Sequence, residues 1–232
     1  IFRQKWENQQ KESPDWLSSL CLDGRQIQLK IRRMEEMKFV IMADGKESRW
    51  KHHLGVSKHL VEVDGEPLIC RTIRLLRTAI SEKWEIIVTS HDKRYEFKGS
   101  RRYEPVANEY EIDRFTDELI EKDTCFLYGD TYYTESAIEA IVKADTDRIL
   151  FFGNERSIVA VKITDQAEFR YHKERVKKKY IAGEIGQCKG WQVYQSFTGQ
   201  DLSAKPEIKE NFVVLDDGTA DVNTPEDYRR LV

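Results

Sequence analysis

The sequence predicts an α/β fold, with helices covering both faces of a mostly parallel sheet. Short apolar runs alternate with amphipathic stretches from Lys38 onward, the pattern of repeated strand and helix units. The two most suggestive loops, at Asp44-Gly45 and Gly129-Asp130, each follow such a run, and sheets of this class hold ligands at the carboxyl ends of their strands. At 232 residues and 40% hydrophobic content, the chain has the material for one large core.

Each element has its own signal. "KFVIMA" is a buried strand bounded by Asp44-Gly45, and "HLVEVDGEPL" alternates and then turns at Asp64-Gly65. "PLICRTIRLLRTAI" sets Leu68, Thr72, Leu75, Leu76 and Ala79 on one helical face, with Pro67 suited to the first turn. "WEIIVTS" reads as a strand, "IDRFTDELIE" as a helix and "TCFLYGD" as a strand ending in Gly129-Asp130. Thr134 is the expected N-cap of the helix "TESAIEAIVKA". "DRILFF" and "SIVAVKI" follow as strands, then a polar helix around "AEFRYHKERVKKKY", whose run "ERVKKKY" is expected to be a solvated face, a phosphate site being the alternative. "NFVVLDDGTADVNTPEDYRRL" supplies a last strand, a turn and a closing helix.

Residues 1–36 precede this pattern and read as an N-terminal extension, with Met37 a natural start for the domain 37–232. A net charge of −3 argues against bulk binding of nucleic acid or of a membrane surface, so any basic character is local. Cys21, Cys70, Cys125 and Cys188 form no C-x-x-C pair and read as reduced, mostly buried thiols. No apolar stretch reaches membrane-spanning length, and a soluble, cytoplasmic protein is expected. Oligomeric state is left open.

Within the loop after the first strand stand Lys46, Arg49, Lys51, His52, His53, Lys58 and His59. A strand end this rich in positive charge is expected to meet an anion. Gly45 lets the backbone turn and present N–H groups, and Arg49 and Lys58 add charge-assisted hydrogen bonds to a phosphate; a solvated basic loop is the plain alternative. Asp130 sits where a carboxylate holds Mg²⁺ with substrate phosphates, or simply ends a strand. Asp221 and Asn223, two apart, project to one side of an extended segment and are candidates to share that metal, while "TPED" caps the following helix. Lys162 interrupts an apolar strand and has either to snorkel or to meet an anion. Glu184 is a candidate acceptor for a hydroxyl or amine, Gly186 a point of close approach, and Asn108 a reader of base or ribose or else a turn cap.

In order, these segments resemble the nucleotidyltransferases that couple a nucleoside triphosphate to a phosphorylated small molecule: sugar-phosphate nucleotidyltransferases, phosphocholine cytidylyltransferases and molybdenum-cofactor guanylyltransferases. "ADGKESR" followed by "SK" is similar to the family's A-A-G-x-G-x-R and P-K, with Ala43, Gly45, Arg49 and Lys58 matching. Asp44 stands for an alanine, Glu47 for the second glycine and Ser57 for the proline. "VEVDGEPLICRTI", the G-D of "LYGDTYY", "GEIG" and "DVNTPEDY" resemble the segments that follow. The likeness spans residues 37–232 and implies a Rossmann-like three-layer α/β/α sandwich of the nucleotide-diphospho-sugar transferase type. It also implies Mg²⁺-dependent transfer of a nucleoside monophosphate with release of pyrophosphate. By the same resemblance Ala43, Asp44, Gly45, Asn108 and Gly129 bind the nucleotide, and Arg49, Lys58, Asp130 and Lys162 are catalytic. Lys162, Glu184 and Gly186 hold the acceptor, and Asp130 with Asp221 or Asn223 holds the metal. Rival readings are a nucleotide-sugar glycosyltransferase, which usually needs an Asp-x-Asp that "GDTYY" lacks, and a silent nucleotide-binding module. For a quaternary ammonium acceptor, Trp191, Tyr194, Phe197 and Tyr133 are the aromatics on hand, although aromatics in a strand are more often core.

Overall fold

The computed structural model describes residues 37–80 and 82–232; the readings made for residues 1–36, Cys21 among them, lie outside these. The elements run β1 (Lys38–Met42), β2 (Glu62–Val63), β3 (Glu66–Pro67), α1 (Leu68–Ala79), β4 (Glu85–Thr89), β5 (Arg101–Tyr103), β6 (Thr124–Tyr128) and β7 (Thr131–Tyr132). They continue with α2 (Glu135–Lys143), β8 (Ile149–Gly153), β9 (Ile158–Ile163), α3 (Gln166–Ile181), α4 (Gly190–Phe197), β10 (Phe212–Val214), β11 (Ala220–Asp221) and α5 (Pro225–Arg229).

Seven strands form the central sheet in the order β10-β8-β9-β6-β1-β4-β5. The pairings β5-β4-β1-β6 and β8-β10 are parallel, and only β9 runs against its neighbours. β9 can double back because Gly153 takes a φ of 157° and lies against the Ser157 carbonyl, where a Cβ would stand 2.0 Å from the oxygen. Alternation along β1 builds both halves of the core, since successive strand side chains point to opposite faces. Phe39 and Ile41 pack with Ile69, Ile73 and Leu76 of α1 and Ile138 and Ile141 of α2. Val40 and Met42 pack with Phe169 and Val176 of α3 and Val193 and Tyr194 of α4 on the other side. The mostly parallel three-layer α/β/α sandwich is thus as expected.

Local details differ in four places. Pro67 is the N-cap of α1, not part of its first turn. "IDRFTDELIE" forms no α-helix; it makes two short 3₁₀ turns, Glu111–Arg114 and Asp117–Leu119. The Asp113 carboxylate takes the N–H groups of Glu109 and Tyr110 at 3.1 and 2.9 Å, an N-terminal lock, and the chain turns out of helical geometry at Phe115 so that its ring is buried. The run "ERVKKKY" on α3 is not wholly solvated: Lys177 reaches Asp113 at 2.7 Å, and Lys173 just before it is buried against Asp117 at 2.7 Å. The aromatics offered for a cation cage are core. Tyr133 and Tyr194 are fully buried, Trp191 stacks on Phe212 with ring centroids 5.6 Å apart, and Trp191, Tyr194 and Phe197 lie on helix α4. Cys125 and Cys188 are buried and Cys70 half-buried, all three as free thiols. Among the described residues no helix is long and apolar enough to cross a membrane.

Candidate active site

β1 and β6 lie side by side in parallel register, so the loops leaving them start from the same edge. At the end of β1 the Ala43 N–H bonds to the Thr89 carbonyl at 3.1 Å, and the chain leaves as the basic loop. Trp50 governs its return. The indole N–H donates to the Val56 carbonyl at 2.7 Å, the ring meets Tyr228 edge-on, and Trp50 closes a small core with Val61, Val63, Leu68 and Val222. That core binds the loop to the β2-β3 hairpin and to the C-terminal segment. At the end of β6 the Gly129 N–H donates to the Met42 carbonyl at 3.0 Å, so close that a Cβ would stand 2.8 Å from that oxygen. Thr131 then pairs with Asp221 in the antiparallel β7-β11 ladder, and the Val222 N–H donates to the Asp130 carbonyl at 2.7 Å. Segments far apart in sequence are thereby stitched into one site.

At its floor the Lys58 ammonium donates to the Asp130 carboxylate and to Asn223 Oδ1 at 3.2 Å. Lys58 and Asp130 are buried, so this contact is strong only because each charge has its partner. Burial opposes ionisation of Asp130, but Lys58, His59 and Arg114 outweigh it and hold its pKa below the usual carboxylate range. Asp221, whose Oδ1 accepts from the Thr131 hydroxyl at 3.1 Å, goes the other way: burial and the neighbouring Asp130 charge push it up to about 7. Two carboxylates driven in opposite directions, with a cation between one of them and an amide oxygen, mark a place built for charge. His59 is held neutral, its pKa pushed down to about 3 chiefly by burial.

The residues expected to bind a nucleotide lie close to this floor, with contacts other than those expected. Gly45 does not adopt a left-handed turn; its lack of a side chain seats the Arg114 guanidinium, whose nearest nitrogen lies 2.5 Å from where a Cβ would stand. Asn108 donates to the Asp44 carbonyl at 2.9 Å, and the Asp44 carboxylate faces His91 Nδ1 at 2.9 Å. Of the seven basic and imidazole side chains, Lys46, Arg49 and Lys58 line a cavity of about 400 Å³, shared with Arg114, Asn108 and Asn223. His59 turns inward to Ser57 and Tyr95, while Lys51 and His52 are exposed in a left-handed turn. A second cavity of about 700 Å³ adjoins the first, sharing Arg49 and Asn223 and taking Asp221 into its wall.

Glu47 and Ser57, the departures from the family pattern, are one contact: the Ser57 hydroxyl donates to the Glu47 carboxylate, which also accepts the Lys58 N–H at 3.3 Å. Glu47 still lines the cavity, but its carboxylate is engaged at the base of the loop, where it helps hold the backbone of Lys58.

Three expected acceptor contacts are not brought to this site. Lys162 pairs across from Cys125, near the start of β6, and its ammonium donates to the Val142 and Ala144 carbonyls at 3.1 and 2.6 Å, closing the C-terminal end of α2. Glu184 is exposed and pairs with Lys179, and nothing lies within 4 Å of where a Cβ on Gly186 would stand. Strand periodicity put Lys162 in the right element but could not say which end of the sheet it served. Arg114 was missed in its turn, because the apparent helix gave no reason for that side chain to reach Gly45.

Among the described residues no group of three or more His, Cys, Asp or Glu side chains has metal-site geometry. The donor set of Asp130, Asp221 and the Asn223 amide oxygen is nonetheless all hard oxygen, with the Lys58 ammonium lying as a cation between two of its members. That fits Mg²⁺, which is commonly held by one or two carboxylates together with substrate phosphates.

No protein-family model matches the sequence, and no curated protein matches it. Solved structures do match in fold. CTP:phosphocholine cytidylyltransferase from Streptococcus pneumoniae superposes with a TM-score of 0.51 at 15% identity, covering 85% of this chain and 97% of that one. A nucleotidyl transferase from Methanothermobacter gives 0.55 at 17%, covering 84% and 95%. The inositol-1-phosphate CTP transferase from T. maritima gives 0.51 at 14%, covering 84% and 91%. The chain therefore has the nucleotide-diphospho-sugar transferase fold, the one that its motif order resembles.

Proposed function

We propose that this chain is a nucleotidyltransferase that moves a nucleoside monophosphate from a nucleoside triphosphate to a phosphorylated small molecule and releases pyrophosphate. The observation that carries the reading is the buried Lys58, bridging Asp130 and Asn223 beside Asp221 at the floor of a cavity lined by Lys46, Arg49 and Arg114. The structural neighbours named as a cytidylyltransferase, a CTP transferase and a nucleotidyl transferase support it.

Lys46, Arg49 and Arg114 bind the β- and γ-phosphates, with guanidinium forks suited to phosphate oxygens. Lys58 donates to the α-phosphate and offsets the charge that grows there during transfer. An oxygen of the acceptor's phosphate dianion attacks the α-phosphorus; the bond from that phosphorus to the bridging oxygen breaks, and pyrophosphate leaves. The attacking oxygen carries no proton, so no general base is required. Asp130, Asp221 and Asn223 would hold Mg²⁺, which when bound supplies further neutralisation of phosphate charge. Positioning and charge do the rest. Lys58→Ala is expected to lower the rate at saturating nucleotide by about 10²-fold or more, the scale of losing one stabilising donor. Unchanged turnover in this variant would exclude the assignment.

A further inference from the structure

The arginines of the described residues divide cleanly. Arg71, Arg74, Arg77, Arg94, Arg101 and Arg102 all donate to a carboxylate, hydroxyl or carbonyl oxygen, and so do Arg148, Arg170, Arg175 and Arg229. Arg49, Arg114, Arg156 and Arg230 have no side-chain hydrogen bond or ion pair among the described residues, and every one of them lines one of the two adjoining cavities. Unpartnered guanidiniums confined to cavities are waiting for an anion that the described residues do not provide.

The second cavity holds Arg49, Arg156 and Arg230, on three separate segments. Its acids are of two kinds. Asp217 accepts from the hydroxyls of Thr134 and Ser136, Asp227 accepts the Asn223 and Thr224 N–H groups at 3.1 and 2.9 Å, and Asp221 is bonded to Thr131. Glu155 and Asp216 have no such partner among the described residues and stand in the same wall as the arginines. A cavity offering free cations together with free carboxylates suits a ligand that carries both signs. Among the described residues no aromatic side chain lines it, which favours an ammonium with N–H donors for the carboxylates over a quaternary one. Its position also suits an acceptor. It meets the triphosphate cavity at Arg49 and Asn223, so an attacking oxygen and a departing pyrophosphate can lie on opposite sides of one phosphorus.

Resting on the functional reading above, we infer that the second cavity is the acceptor site and that it takes a phosphorylated primary amine. The phosphate lies on Arg156 and Arg230, and the ammonium faces Glu155 and Asp216. This replaces Lys162, Glu184 and Gly186 as the acceptor contacts.

The test is calorimetric binding of O-phosphoethanolamine and of ethyl phosphate, which lacks the amine, to the full chain and to the variants Arg156→Gln, Arg230→Gln and Asp216→Asn. These side chains are exposed and have no partner among the described residues, so the variants are expected to fold. O-Phosphoethanolamine should bind about tenfold tighter than ethyl phosphate, and each arginine variant should weaken both by about tenfold, one charge-assisted contact. Asp216→Asn should weaken only the amine. Equal affinity for the two probes, no binding, or indifference to the arginine variants would overturn the inference. Triphosphate binding, measured on the same samples, separates this from the function: an intact triphosphate site with no acceptor preference removes only the acceptor assignment. Variant-sensitive O-phosphoethanolamine binding without pyrophosphate release on adding any triphosphate removes the functional reading and leaves the site.

Discussion

The contact between Glu47 and Ser57 shows how much a single pair of side chains can change the meaning of a motif. In isolation each substitution weakens the phosphate-loop reading: a carboxylate where phosphates should approach, and a lost proline. Together they make a hydrogen bond that also engages the Lys58 backbone. A double-mutant cycle with Glu47→Ala and Ser57→Ala is expected to give a coupling of roughly 0.5–3 kcal/mol in stability, as for residues in contact; strict additivity would contradict the geometry. His59 makes a second prediction. Its pKa is 6.5 in the unfolded chain and about 3 in the fold, lowered mainly by burial, with Lys58 and Arg114 adding to the effect against Asp130. Between these values the unfolded state binds the proton that the native state refuses, so stability falls as pH falls through that window and is unaffected by this group above it. His59→Gln should show a shallower loss of stability below pH 6.5 in denaturant titrations. Parallel profiles would mean that the ring is accessible to solvent after all.

At the scale of elements, the site depends on short pieces more than on the long ones. The β7-β11 ladder has only two residue pairs, yet it brings Asp221 to Asp130. The Trp50 core does the same for the basic loop. Trp50→Ala removes a fully buried ring and should cost about 3–5 kcal/mol, the usual range for a large aromatic in a core. Because this core joins the loop to the C-terminal segment, triphosphate affinity should fall with stability, and an unaltered affinity would disconnect the two. These links were the least legible in the sequence. Strand and helix periods identified β1, α1, β4, β6 and α2 from apolar spacing, and Thr134 capped its helix as its position suggested. Nothing in those periods reveals that Asp113 captures its own N-terminal backbone and turns an apparent helix into two tight turns. With that went Arg114. Lys162 failed for a related reason: period-two alternation gives the face of a strand but not which end of the sheet it serves.

At the scale of the molecule, the parallel strands matter because they align the ends of β1 and β6, and the antiparallel β9 matters because its turn with β8 carries Glu155 and Arg156 into the second cavity. A chain with net charge −3 can therefore still concentrate the uncommitted guanidiniums of its described residues at one edge. The fold was legible as an order of motifs; the division of that edge into two cavities was not, since it depends on loops whose direction no local pattern encodes. The most direct measurement is pyrophosphate release from each of the four nucleoside triphosphates with a phosphorylated acceptor, with Mg²⁺ and with chelator, alongside Asp130→Asn. Release is expected to depend on both nucleotide and Mg²⁺ and to fall by about 10²-fold or more in Asp130→Asn. Release that is indifferent to Asp130, or tight triphosphate binding with no release for any acceptor, would contradict it.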